Sequence, residues 1–194
     1  MPGTHSVGLN TSASLASFGL IDRDSPAHDF VLPPPRTELD VTTQLEQVRD
    51  ATVRVAASAR RMLTICTTDM EPSVYDQPDF LQAAKALILG RPFAKIRVLV
   101  RDQGRMNSVK HRFVSMARRL SHSIDIRVQP ASMGKRPIAF CIADSGGIVY
   151  RVRADRWDGV TAQQNPQAAQ RLLDEFDRAW LEAETDIRQH TGYR

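Results

Sequence analysis

The sequence predicts an α/β domain built on a mixed, mostly parallel sheet flanked by helices. Three observations predict it. Short apolar, β-branched runs alternate with segments whose apolar residues recur every three or four positions. Two of these runs, residues 138–143 and 148–152, are separated by Asp144-Ser145-Gly146-Gly147, which is hairpin-turn chemistry. A chain of 194 residues with 42% apolar content can bury one sizeable core without disulfide or metal staples.

Residues 1–38 hold five of the eleven prolines, including Pro33-Pro34-Pro35, and no lasting apolar period. They read as a disordered Pro/Ser-rich tail in which Phe30-Val31-Leu32 could dock locally, ahead of a folded domain over residues 39–194. Thr37 and Asp40 stand at capping-box spacing, and Val41, Leu45, Val48, Thr52, Val55 and Ala59 follow as a helical stripe. Residues 61–67 read as a buried strand. Pro78 opens a second helix, with Phe80, Ala84, Leu87 and Ile88 inside, and Gly90 and Pro92 end it. Residues 95–101 form the next strand. Met106, Val109, Phe113, Met116 and Leu120 then predict one continuous helix, stopped by Ser121-His122-Ser123. Residues 124–128 alternate as a short strand, and a basic loop over 129–136 leads to the hairpin. Asn165-Pro166 caps a last helix whose inner face is Ala169, Leu172, Leu173, Phe176, Trp180 and Ala183. The order α-β-α-β-α-β-β-β-α favours parallel neighbours, with ligands beyond the strands' carboxyl ends at Thr67-Thr68-Asp69 and Arg101-Asp102.

The net charge of +4 is unevenly spread. Residues 91–156 carry fifteen Lys/Arg against four Asp/Glu, while residues 1–40, 41–90 and 157–194 are each net acidic. Such a basic segment suits a phosphate-bearing ligand, nucleic acid or an acidic surface, and equally a solvated face kept for solubility. Cys66 and Cys141 both lie in apolar strand-like runs and read as buried thiols in a reducing compartment. No basic segment followed by an apolar run opens the chain, and its longest apolar run, 138–143, is far too short to span a membrane. A cytoplasmic protein without membrane insertion, cofactor or metal is expected. The sequence contains no Walker A loop, Gly-x-Gly-x-x-Gly, zinc-finger spacing, Gly-x-Ser-x-Gly or His-Glu-x-x-His.

The run strand, Asp144, turn, strand, polar loop, then a helix carrying Phe176 and Trp180 resembles the C-terminal part of a phospholipase D superfamily half. The upstream strand-helix-strand-helix-strand order resembles that fold as well, so the likeness covers residues 40–185. More closely, Tyr75-Asp76, Arg97-Val98-Leu99-Val100-Arg101-Asp102, His111 followed by Arg118-Arg119-Leu120, and Ala139-Phe140 leading to Asp144 resemble a bacterial family of degenerate phospholipase-D-like domains. The resemblance implies a phospholipase-D-like single half. If Asp144 is the aspartate of the superfamily's His-x-Lys-x-x-x-x-Asp motif, the histidine position falls on Pro137 and the lysine position on Ala139. Neither residue can act as nucleophile or hold phosphate through its side chain. Single-motif members complete their site by forming a homodimer, which here would join two vacated motifs.

The candidate ligand-binding residues are Asp69, Arg101, Asp102, His111, Arg118, Arg151 and Arg153, and no catalytic or metal-binding residue is assigned. Asp69 and Asp102 follow successive strands, where they could bind Mg²⁺ or act as acid and base, or simply cap the next helix. His111 and Arg118 fall opposite the apolar stripe of the third helix, as a cationic face or a solvated one. His111 and His122 are about three helical turns apart, too far to share a metal ion. Arg151 and Arg153 alternate along the last strand, where arginines could grip phosphate or protect an edge strand. Trp157 precedes Asp158-Gly159 and is expected to pack over a turn; with twelve aromatics, mostly on core faces, a base-stacking platform is poorly supported.

Three functions follow from this reading. The first is a non-catalytic binding or regulatory domain for a phosphate-bearing ligand or acidic surface. The second is an accessory protein to an enzyme partner, by loose analogy an N-acetyltransferase. The third is a divergent hydrolase using Asp69, Asp102 and His111.

Overall fold

A computed structural model describes residues 39–134 and 137–191, the last eight as backbone only. The expected tail, the Thr37 cap and the basic pair Lys135-Arg136 lie outside these residues. Seven strands form one sheet: β1 (Asp40–Thr42), β2 (Met62–Thr67), β3 (Lys95–Val100), β4 (Ile124–Val128), β5 (Ala139–Ala143), β6 (Ile148–Arg151) and β7 (Gly159–Ala162). The helices are α1 (Leu45–Ser58), α2 (Pro72–Tyr75), α3 (Pro78–Gly90), α4 (Gln103–Ser108), α5 (Arg112–Arg119) and α6 (Pro166–Thr191).

The sheet order is β1-β7-β6-β5-β2-β3-β4. Only β2–β3 and β3–β4 are parallel, and the other four ladders are antiparallel. The expectation of a mostly parallel sheet is therefore corrected. The helical crossovers produce the parallel pairs as anticipated. The hairpin then inserts β5 beside β2 in the opposite direction, and β6, β7 and β1 extend the sheet from there. Two of those added strands, β1 and β7, carry no strand-like apolar run. Asp40 belongs to β1 rather than to a cap, and α1 starts at Leu45, with the Gln47 side chain accepting from the Gln44 backbone N–H at 3.2 Å.

Alternation along the strands divides the core between two faces. Leu63, Ile65, Ile96, Val98, Val100 and Val149 face α1, α3 and α5. Cys66, Leu99, Phe140, Ile142 and Ile148 face α6, which presents Ala169, Phe176, Ala179, Trp180 and Ala183. Burial raises both thiols to a pKa of about 12, so Cys66 and Cys141 are packing residues rather than nucleophiles. At β7, a Cβ on Gly159 would stand 2.5 Å from the Tyr150 carbonyl oxygen and 2.7 Å from Cγ of Arg151, so only glycine lets this strand close against β6.

The expected third helix is broken. α4 ends at Ser108, Val109 is extended and 51% exposed, and α5 begins at Arg112. His111 caps α5, with Nδ1 accepting from the Phe113 N–H at 3.2 Å. Its ring is buried, not on an outer helix face.

Candidate functional site

The chain leaves β2 through Thr67-Thr68-Asp69-Met70-Glu71, and this loop organises the carboxyl ends of the parallel strands. Met70 (φ 66°) and Glu71 (φ 23°) both take positive φ, which is strained for side-chain-bearing residues. Three contacts hold them there. Nε2 of His111 donates to the Met70 carbonyl at 3.1 Å, because its Nδ1 is already an acceptor. The Glu71 N–H donates to the Asp69 carboxylate at 3.1 Å. The Thr67 hydroxyl donates to the Glu71 carboxylate at 3.1 Å.

The twist turns Glu71 inward onto Arg151. One guanidinium nitrogen of Arg151 donates to both Glu71 carboxylate oxygens at 2.6 Å. Another donates to the carbonyls of Ala154 and Arg156, each at 2.9 Å. The guanidinium also lies 5.2 Å from the Trp157 ring centroid. Both charged side chains are buried, Arg151 at 2% exposure. Burial nonetheless raises the Glu71 carboxyl pKa, outweighing the lowering by Arg151 and by the Thr67 hydroxyl. Arg151 therefore does not lie on an edge strand offered to ligand. β6 is flanked by β5 and β7, and its terminal arginine is consumed in a buried pair.

Above this pair opens a cleft of about 410 Å³, lined by Thr68, Asp69, Arg101, Arg105, Pro137 and Trp157 among others. Arg101 donates to the Thr68 hydroxyl at 3.0 Å. Arg105, 70% exposed in its side chain, reaches the Asp69 carboxylate at 3.1 Å. At the rim, Arg153 lies beyond β6 and pairs with Asp155 at 2.7 Å in solvent. This pairing lowers the Asp155 pKa and raises that of Arg153.

The structure thus brings Asp69 and Arg101 to one cleft, with Arg151 beneath it. Asp102 accepts the Arg105 N–H at 2.9 Å and caps α4. His111 acts from behind the loop. Arg118 stands on α5, bonded to Asn107 at 3.3 Å. Glu71 and Arg105 were missed by the sequence reading. The position of Arg105, one turn beyond Asp102 on a helix leaving a ligand-edge strand, was the available signal. Part of the basic segment's charge is met from outside it. Arg97, Arg105, Arg112 and Arg151 meet carboxylates from acidic stretches elsewhere in the chain: Asp177, Asp69, Asp76 and Glu71 respectively. Among the described residues no cluster of three or more His, Cys, Asp or Glu could hold a metal ion.

Asp144 stands at the far end of the hairpin, where its two oxygens accept the backbone N–H groups of Arg60 and Arg61 at 2.7 Å each. Asp144→Ala should cost about 1–3 kcal/mol through the loss of two charge-assisted bonds. Urea unfolding checks this, and a loss below about 0.5 kcal/mol would refute the capping role.

The family profile described as Domain of unknown function (DUF7931) matches residues 44–190. The chain belongs to this family. No curated protein matches it significantly. Among solved structures, this DUF7931 chain is similar to TrmBL2, an archaeal chromatin protein whose structure is described as showing a novel mode of DNA binding. That match has a TM-score of 0.53 and 12% identity, and covers 78% of this chain and 55% of TrmBL2. The DUF7931 chain thus corresponds to little more than half of that protein. It is also similar to NucT from Helicobacter pylori, with a TM-score of 0.50 and 12% identity over 75% of this chain and 96% of NucT. At such identity the likeness is one of fold. No helix among the described residues is long and apolar enough to cross a membrane.

Proposed function

We propose that this DUF7931 domain is a phospholipase-D-like half that has given up catalysis and binds a phosphate-bearing ligand in the cleft beyond β2 and β3. The fold likeness to NucT, a phospholipase D superfamily member, supports the architecture. The observation that carries the reading is the register Ala139↔Arg151. Directly opposed residues share one face of a sheet, so a lysine at 139 would project beside Arg151. Here alanine stands at that position, and the arginine next to it is locked onto Glu71. Pro137, at the motif's histidine position, lines the cleft with a side chain that cannot take or give a proton.

What remains is a binding surface. Arg101, which donates to the Thr68 hydroxyl, and Arg105 line the same cleft, and its carboxylates Asp69 and Asp155 each have an arginine partner. Arg105 is exposed enough to leave Asp69 for an incoming phosphate, which it can grip with two donors. The DNA binding described for TrmBL2 makes a nucleic-acid phosphate a natural ligand to try first.

Titration with inorganic pyrophosphate and with a short single-stranded oligonucleotide, read by tryptophan fluorescence because Trp157 lines the cleft, tests the proposal. The double variant Arg101→Met/Arg105→Met should bind at least about tenfold more weakly. With two phosphates contacted, raising salt from about 50 to 200 mM should weaken oligonucleotide binding roughly sevenfold. Unchanged binding in the double variant would overturn the site. Hydrolysis of bis-p-nitrophenyl phosphate by the purified protein would overturn the non-catalytic reading.

A further inference from the structure

We infer that the groove between α3 and α5 is a docking site for an acidic amphipathic helix of a partner protein. This rests on a surface separate from the cleft. The groove measures about 880 Å³. On α3 it is lined by residues 78, 81, 82, 85 and 89, and on α5 and its C-cap by residues 112, 115, 116, 119 and 120. Both sets follow helical spacing, so two helix faces run along the groove.

Its apolar lining includes Leu81, Leu89, Met116 and Leu120. Leu89 is 72% exposed. Four positions on, in the turn after α3, Phe93 is 94% exposed and held at a φ of 65°. These are the two most exposed large apolar residues among those described, and they fall in one stretch of chain. Leu89 lines the groove beside Leu81, Met116 and Leu120, and an exposed leucine set in such an apolar lining marks an interaction face where an isolated one would not.

Charge selects the occupant. Lys85, Arg112 and Arg119 line the groove, and no carboxylate among the described residues does so. Arg112 is already tied to Asp76 at 2.9 Å, which leaves Lys85 and Arg119 to meet a partner's acids. An apolar lining that also carries cations fits a helix whose leucine-type anchors recur at i, i+3 or i+4 and i+7, flanked by Asp or Glu. A nucleic acid would find the cations but would gain little from Leu89 and Met116.

The test uses the full chain and two designed helical peptides with the same leucine stripe, one carrying glutamate and the other lysine elsewhere. Fluorescence anisotropy should show the glutamate peptide binding at least about tenfold tighter. Lys85→Glu/Arg119→Glu should abolish that preference. Leu89→Asp, at an exposed position that tolerates a charge, should weaken the glutamate peptide at least about tenfold. Pyrophosphate binding at the cleft should be unaffected by all three substitutions, which separates failure here from failure of the cleft reading. Equal affinity for the two peptides would overturn the inference, as would an inert Leu89→Asp. So would displacement of the glutamate peptide by an oligonucleotide, or self-association that Leu89→Asp abolishes, since each would name a different occupant.

Discussion

Arg151→Met should destabilise the domain by about 3–5 kcal/mol, because it leaves the Glu71 carboxylate buried without its charge partner. The variant also frees the carbonyls of Ala154 and Arg156, which Arg151 serves in the folded protein. The deficit should depend on pH. Burial already holds the native Glu71 pKa above its unfolded value of 4.5, so the native state binds this proton more tightly than the unfolded chain does. The stabilisation from that proton is fully present below 4.5 and is lost as pH rises through the native value. Without Arg151, its charge and its hydrogen bonds no longer pull the native value down, only the Thr67 hydroxyl still does, and the window of loss widens upward. Compared with wild type at equal pH, Arg151→Met should lose less at pH 5 than at pH 7. Adding Glu71→Met should restore most of the stability and remove the pH dependence of the difference. A deficit that is flat in pH, measured by urea unfolding, would show that lost packing, not the stranded carboxylate, carries the cost.

Phe176→Ala should cost a similar amount, about 3–5 kcal/mol, and should act on the opposite face. Phe176 is fully buried, meets Phe140 edge-on at 6.3 Å, stacks on Trp180 at 5.4 Å and lies 5.1 Å beneath the Arg97 guanidinium. Arg97 has a buried Nε with no hydrogen-bond partner. It is held by the two rings and by Asp177 at 2.8 Å. Removing one ring therefore opens a cavity and loosens a half-buried cation. Because α6 is the α-helix packed on this face among the described residues, hydrogen exchange should rise along α6 before it rises in β2 or β3. Uniform loss of protection across the sheet would refute that separation of the two layers.

Residues 62–67, 95–100 and 124–128 could be read as strands because apolar and β-branched side chains fill them, and the α6 stripe could be read from its period. Strand direction was less legible. Gly159-Val160-Thr161-Ala162 and Asp40-Val41-Thr42 become strands because a neighbouring edge offers backbone partners, not because their composition demands it. His111 turns inward rather than outward because the helical period through Met106 and Phe113 is interrupted at Val109, where the helix breaks. Asn107-Ser108 ahead of that point was the local warning. The Glu71–Arg151 pair was out of reach for a different reason. Its members are 80 positions apart, and only the strained loop after β2 aims one at the other. Each residue alone reads as ordinary surface charge.

The register Asp40↔Thr161 bears on how the chain is made. β1 is synthesised early, yet the strand it joins is among the last to emerge, and β7 must itself first settle against β6. On the ribosome, the early segment has to wait unpaired while nearly the whole domain is translated. Sheet closure is therefore a late step of high contact order, expected to be slower than formation of the central β2-β3-β4 crossovers. In an arrested nascent chain, protection at Val41 should appear only after Ala162 has cleared the exit tunnel.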